Sequence, residues 1–419
     1  MSRSLALCLL ACSALAAAAQ QTPTPTELGG KPFFVTKTWT IGGEGNWDNL
    51  TVDARTGQLF IAHGPVVQVV DVETGALVGK IGGLSNARSI ALDDTGEFGF
   101  IADDKTGVVV VFDRRTLQAT ASIATGSNPR LLAFDPLDKL LFAFSDRAPA
   151  PAPSHTVRYR DSNGNIKTRL APDFPASRTV EAKPDSRVTV IDTQSQAVLG
   201  EMLFSGRTGP AQCDGKGHLY ASVLDRNHVL RIDTQEVAKR LRSLAHEGLS
   251  TLDWSDIGSS DNARLAWAAP NHPEIYHLDR GCTELKALAL NIPGDRLFAA
   301  CSNGKIVVLN AANGSQIASL SITGSGADAL AFNAERNLLY AANGNGMLSI
   351  VREHVTDSYS VIQELPTRQQ ARTLAVNPVS GEVYLVTNQQ GVDVSKPGGI
   401  GTLKAVTVPG SFQVLVVGN

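Results

Sequence analysis

Asn128–Phe144, NPRLLAFDPLDKLLFAF, reads as a strand, a tight turn and a second strand. Apolar residues fill both arms, Asp135 heads the turn, and the proline after it favours chain reversal. Six relatives of this stretch recur along the 419 residues: WDNLTVDARTGQLFIAHG (47–64), ARSIALDDTGEFGFIADD (87–104), GPAQCDGKGHLYASV (209–223), LKALALNIPGDRLFAACSN (285–303), ADALAFNAERNLLYAANG (327–344) and ARTLAVNPVSGEVYLVTN (371–388). The turns begin at Asp53, Asp93, Asp135, Asp214, Asn291, Asn333 and Asn377. Asp and Asn serve there because their side chains bond the backbone two residues on. Most anchors are 40 to 44 residues apart, and two steps are near 78, which implies an insertion in each.

A β-branched third strand follows most hairpins, as in VVQVVDVETGALV, VVVVFDRRTLQAT, RVTVIDTQSQAVL, HVLRIDTQEVAKR and KIVVLNAANGSQI, and a fourth is expected after each Asp- or Asn-headed turn. Four strands in about 40 residues make one propeller blade. The predicted fold class is therefore all-β, a seven-bladed β-propeller spanning 33–419. The last repeat stops at its third strand, SFQVLVVGN, while FFVTKTWTIGG (33–43) is a spare strand ahead of the first. Joining them in the last blade would close the ring and remove the open sheet edges. The insertion at 146–184 splits the third blade between its second and third strands, with a small hairpin expected around DSNGNIK. The insertion at about 245–277 is expected to separate blades four and five.

Ahead of the repeats, MSRSLALCLLACSALAAAAQQ has one basic residue, an apolar run and small residues, the pattern of a secretory signal peptide over residues 1–19. A lipid anchor at Cys12 is the minor alternative. Residues 20–32, with QTPTPTE, read as a linker. Export to the periplasm or beyond implies oxidising conditions for Cys213, Cys282 and Cys301. Cys282 precedes one strand of a hairpin and Cys301 ends the next, so these two are expected to pair, leaving Cys213 as a buried free thiol. The net charge of −3 argues against whole-chain attraction to nucleic acid.

The patterns V-x-V-I-D-x-x-(T/S) and L-x-V-D-x-x-x-G-x-L-(F/Y)-(I/V), with the closing VPGSFQVLVVGN, resemble the YVTN-repeat, YncE-like β-propellers exported by bacteria. The resemblance covers nearly all of residues 33–419. It implies a WD40-like propeller outside the cytoplasm and supports the Cys282–Cys301 pairing. It leaves chemistry open, since similar propellers occur in quinoprotein dehydrogenase subunits and lactonases. Such relatives tend to carry His, Asp and Glu early in blades two, three and four. Here Arg88, Arg130 and a shortened GPAQCD stand there.

Counting back five residues from each anchor gives one slot near the start of each inner strand: Asp48, Arg88, Arg130, Gly209, Lys286, Asp328 and Arg372. Inner strands line the channel, so four cations and two anions should ring one mouth. Convergent cations repel unless a ligand or counter-charge meets them. One reading is an anion site with arginine forks; the other is a mouth closed by Arg–Asp pairs. Trp47, beside Asp48, is either a stacking platform or a plug of the mouth. His63 is expected as polar filler at a strand end, and NHPEIYH (271–277) makes only a weak metal-ligand pattern across Pro273. Basic residues of the first insertion (His155, Arg158, Arg160, Lys167 and Arg169) are a secondary, nucleic-acid-compatible patch. No motif demands a metal or a cofactor. The expectation is a secreted, monomeric binding or scaffold protein without a membrane span, recognising an anionic small molecule, peptide or polymer. The alternative is a propeller enzyme, a lactonase-like hydrolase or a quinoprotein-like oxidoreductase.

Overall fold

The anchor residues fold as their chemistry requires. In the structure, a computed structural model describing residues 31–43, 45–125, 128–146, 156–160, 166–170, 186–254, 272–278, 281–355, 357–392 and 405–419, Asp53 accepts the Arg55 N–H at 3.1 Å and the Thr56 hydroxyl at 2.8 Å. Asp135 accepts from the Leu137 N–H at 3.1 Å and Asn377 from the Val379 N–H at 2.9 Å. Turn bonds of this kind help Asp53, Asp135 and Asn377 to be buried. They also set register, placing Asp53 opposite Gln58, Asp135 opposite Leu140 and Asn291 opposite Arg296. The expected leader and linker lie outside the described residues up to residue 30.

Seven blade sheets result, six of four strands and one of five; in six of them the inner strand comes first in the chain, and in the seventh the outer strand Phe34–Thr40 does. Blade one is Trp47–Asp53, Gln58–His63, Val66–Asp71 and Leu77–Ile81. Second and third strands are buried along most of their length because both faces of a blade meet a neighbour. Phe60, Val67 and Val69 of blade one pack on Ile90, Ile101 and Phe112 of blade two. On the other face, Leu59 and Ile61 pack on Tyr384 and Val414 of blade seven. The spare strand closes the ring as expected: Phe34–Thr40 pairs with Gln413–Gly418, from Phe34 opposite Gly418 to Thr40 opposite Gln413. Phe33 is tied to blade six by a reciprocal pair of 2.8 Å hydrogen bonds with the Gln363 side-chain amide.

The first insertion leaves blade three at Asp146 and returns at Ser186, which are opposite each other. Within it, Thr156–Arg160 pairs with Ile166–Leu170 as a hairpin. The second insertion differs from expectation. It lies inside blade four rather than between blades four and five, and its departure begins at Thr234. The turn Asp of HVLRID caps a helix instead of starting a strand: Asp233 accepts the Glu236 N–H at 2.8 Å, and Thr234–His246 buries Val237, Ala238 and Leu241 on one face. An N-cap Asp, Glu three residues later and an apolar i, i+4 stripe favour helix over strand. The chain then adds Thr251–Trp254 as a parallel fifth strand on blade three before Glu274–His277 supplies the outer strand of blade four.

Cys282 and Cys301 form the expected disulfide, Sγ–Sγ 2.08 Å. Cys213 is free but half-buried rather than buried, because its register position, like that of Leu92 and Phe134, faces the channel wall.

One buried ion triad joins blades one and two. Arg114, 5 % exposed, reaches the anchor carboxylates of both, bonding Asp53 and, at 3.1 Å, Asp93. Burial pushes Asp53 up, but hydrogen bonds from Arg114 and Thr56 outweigh it and hold the carboxyl below its ordinary value. Removing the shared cation strands two buried carboxylates, so Arg114→Ala should lower unfolding stability by about 3–5 kcal/mol. Urea titration checks this; a loss below about 1 kcal/mol would show that the triad is not structural.

Candidate functional site

A recurring backbone irregularity positions the slot residues. In blades one to five the inner hairpin shifts register at the slot: Trp47 pairs with His63 but Leu50 with Ile61, Ala87 with Asp103 but Ser89 with Ala102, Pro129 with Ser145 but Leu131 with Phe144. The same shift falls between Thr208 and Ala211 and between Leu285 and Ala287. Each shift is a β-bulge that turns the extra residue away from the pleat. Asp48, Arg88, Arg130, Gly209 and Lys286 are within these bulges, all at the end of the channel where the inner strands begin. Asp328 and Arg372 stand just ahead of the inner strands of blades six and seven.

The expected charges do converge. Arg88 Nε is 3.0 Å from Asp48 and 3.5 Å from Asp104, and Lys286 Nζ is 3.1 Å from Asp328. Burial raises the Asp48 pKa above the ordinary carboxylate value, against the opposing fields of Arg88, Arg372 and Arg130. Three arginines therefore share the field of one carboxylate. The pairs do not close the mouth. A cavity of about 200 Å³ remains between blades one and four, lined by Asp48, Arg88, Arg130, Ser145 and Arg207 along with Leu131, Phe144 and the Thr208–Pro210 backbone segment. Gly209 belongs to that wall; a Cβ there would lie 2.4 Å from Leu224 Cδ2 and 2.8 Å from Ser222 Oγ, so blade four offers no slot side chain. Further along, the channel holds cavities of about 440 and 630 Å³ with mixed walls, in which Ala211 and Leu132 alternate with Asn49, Thr51 and Gln212.

Three contributors escaped the sequence reading. Asp104 is held by Asn86 Nδ2 at 2.7 Å and counters Arg88. Arg207, two residues before the glycine slot, supplies a cation from blade four and pairs with Glu284 at 2.9 Å. Ser145 is 1 % exposed, lines the cavity, and its hydroxyl has no hydrogen-bond partner among the described residues. Ser145 holds the same strand-end position as His63, which was a usable signal. Trp47 is not brought to the mouth cavity. It is 7 % exposed and packs tilted on Phe412, ring centres 5.5 Å apart, between blades one and seven.

His63 is structural. Its Nδ1 is 2.8 Å from Gln68 Oε1, Gln68 Nε2 donates to Gly42 O at 3.1 Å, and the imidazole rests 4.0 Å from the Phe412 ring. The histidines of blade four serve its outer strand: His228 and His277 are opposite each other with ring centres 4.7 Å apart, and Glu274 is 2.8 Å from Arg231. Among the described residues, no group of three or more His, Cys, Asp or Glu could hold a metal ion, and no helix is long and apolar enough to cross a membrane.

No protein-family model and no curated protein matches the chain. Solved structures do. U3-55K superposes with a TM-score of 0.59 at 10 % identity, covering 90 % of this chain and 97 % of that one. The RRP9 WD40 repeats give 0.59 at 10 %, covering 90 % and 96 %. A chain of the mitotic checkpoint complex gives 0.57 at 12 %, covering 92 % and 95 %. At such identities the likeness is one of fold.

Burial lowers the His63 pKa below 6.5, and Lys80 adds to the shift against the hydrogen bonds that favour the cation. The unfolded chain then takes up the proton first, so stability is complete above about pH 6.5 and falls as the pH drops below it. His63→Phe should flatten the part of this decline between about pH 7 and pH 5 that belongs to His63. Urea midpoints compared across that range check it; parallel losses in both proteins would assign the dependence elsewhere.

Proposed function

We propose that this chain is an exported, YncE-like binding propeller whose channel mouth recognises an anionic group on a small molecule, peptide or polymer. One observation carries the reading: the mouth cavity is lined by three arginines, Arg88, Arg130 and Arg207, and one carboxylate, Asp48. Lys286 and Arg372 extend the cationic rim beyond it, tempered by Asp328. Guanidinium forks suit planar or tetrahedral oxyanions, and a site partly shielded from water strengthens such bonds. A rigid seven-sheet ring keeps the forks in place without the ligand, which spares the ordering cost of binding. The N-terminal apolar run and the Cys282–Cys301 disulfide both support an oxidising compartment.

A thermal-shift panel of phosphate, sulfate, citrate and acetate at fixed ionic strength tests the reading. At least one anion should raise the melting temperature by about a few degrees at saturating concentration, and Arg130→Ala should abolish the gain. The idea fails if every anion leaves the melting temperature unchanged.

A further inference from the structure

The cavity carries a second layer of chemistry, which rests on the anion-binding reading above. Arginines alone would accept almost any anion. Asp48 changes this, because its carboxylate lines the same cavity, held 3.0 Å from Arg88 Nε. An ionised carboxylate only accepts hydrogen bonds. An anion with bare oxygens would set acceptor against acceptor and charge against charge there. An anion with its own O–H would instead donate to Asp48 in a charge-assisted bond, stronger than a neutral one.

Ser145 is the independent sign of a built polar site. Its side chain is buried to 1 % exposure, it lines the cavity, and its hydroxyl is unpartnered among the described residues. Buried polar atoms are nearly always bonded to protein or to ordered water, so this hydroxyl has a bond to offer a molecule that enters the cavity. About 200 Å³ is ample room for a small oxyanion group at the mouth.

We infer that the mouth takes a tetrahedral oxyanion carrying its own hydrogen, either hydrogen phosphate or, below its second ionisation near pH 6, a singly protonated phosphate monoester. Arg88 and Arg130 donate to its oxygens, Ser145 bonds it from the floor, and Asp48 accepts its O–H. Sulfate has the same shape and no hydrogen at neutral pH, so Asp48 excludes it.

Isothermal titration of the mature chain with inorganic phosphate and with sulfate, at about pH 7.5 and matched ionic strength, tests this. Phosphate should bind about tenfold or more tightly than sulfate, the worth of one charge-assisted hydrogen bond. Asp48→Asn, which can both donate and accept, should strengthen sulfate binding and bring the two anions within about threefold. Glycerol phosphate distinguishes the sources. Its second ionisation is near pH 6, so it keeps its hydrogen at about pH 5.5 and loses it by about pH 8. Tighter binding of the ester than of inorganic phosphate at the lower pH assigns an ester; the reverse at both pH values assigns free phosphate. Equal affinities of the native chain for phosphate and sulfate would overturn the inference and leave the anion site standing. If neither anion binds, the inference falls, and the anion-binding reading then rests on citrate and acetate. The native comparison needs no variant, so misfolding of Asp48→Asn cannot obscure it.

Discussion

A propeller is a ring of sheets that must be shut somewhere, and everything inside it depends on that seam. Here the seam is the pairing of Phe34–Thr40 with Gln413–Gly418, which makes one blade from the two ends of the described chain. Without it blade seven would present a long apolar edge, the template for wrong pairing that natural sheets avoid. The neighbours reinforce the joint with different chemistry. Trp39 stacks on Tyr384 with ring centres 5.9 Å apart, and the Gln363 amide imitates a strand partner for Phe33. On the inner side, Gln68 relays His63 to Gly42, the link from the seam strand to blade one.

Closure of this kind turns a local irregularity into a site. A β-bulge at the start of an isolated hairpin would aim one side chain at water. Repeated in five consecutive blades and locked in a ring, the same bulge brings Asp48, Arg88 and Arg130 to one cavity. The rigidity comes from lower down, where Arg114 bridges the anchor carboxylates of blades one and two and the second strands are packed on both faces. The mouth is thus held by groups that take no part in it.

This division explains what the sequence made legible. The anchors are local devices, an Asp or Asn bonding its own turn, and they repeat at nearly constant spacing. Counting five residues back from them found the bulge in blades one to five without any knowledge of bulges. What escaped was tertiary. Asp233 belongs to the same motif as Asp71 and Asp113, yet its downstream Glu236 and the Val237, Leu241 stripe made it a helix cap. Trp47 adjoins the Asp48 slot, but strand alternation turns it toward Phe412 and the blade interface. Ser145 matters only because Gly209 across the cavity leaves the space open, and no single segment records that juxtaposition.

The slots differ from the anchors in one further respect. Every blade uses Asp or Asn at the anchor, because only those side chains close the turn. At the slot the blades use Asp, Arg, Arg, Gly, Lys, Asp and Arg, so the fold accepts either charge or no side chain there. Nor does stability demand the pairs that form. Arg88–Asp48 and Lys286–Asp328 are about 30 % exposed at each side chain, and exposed pairs contribute only about 0–1 kcal/mol. The triad at Arg114, its side chains 3–8 % exposed, is of a different order. On the proposed reading, charge that the fold neither requires nor gains much from, gathered around a cavity with a buried hydroxyl in its wall, is there to bind what enters that cavity.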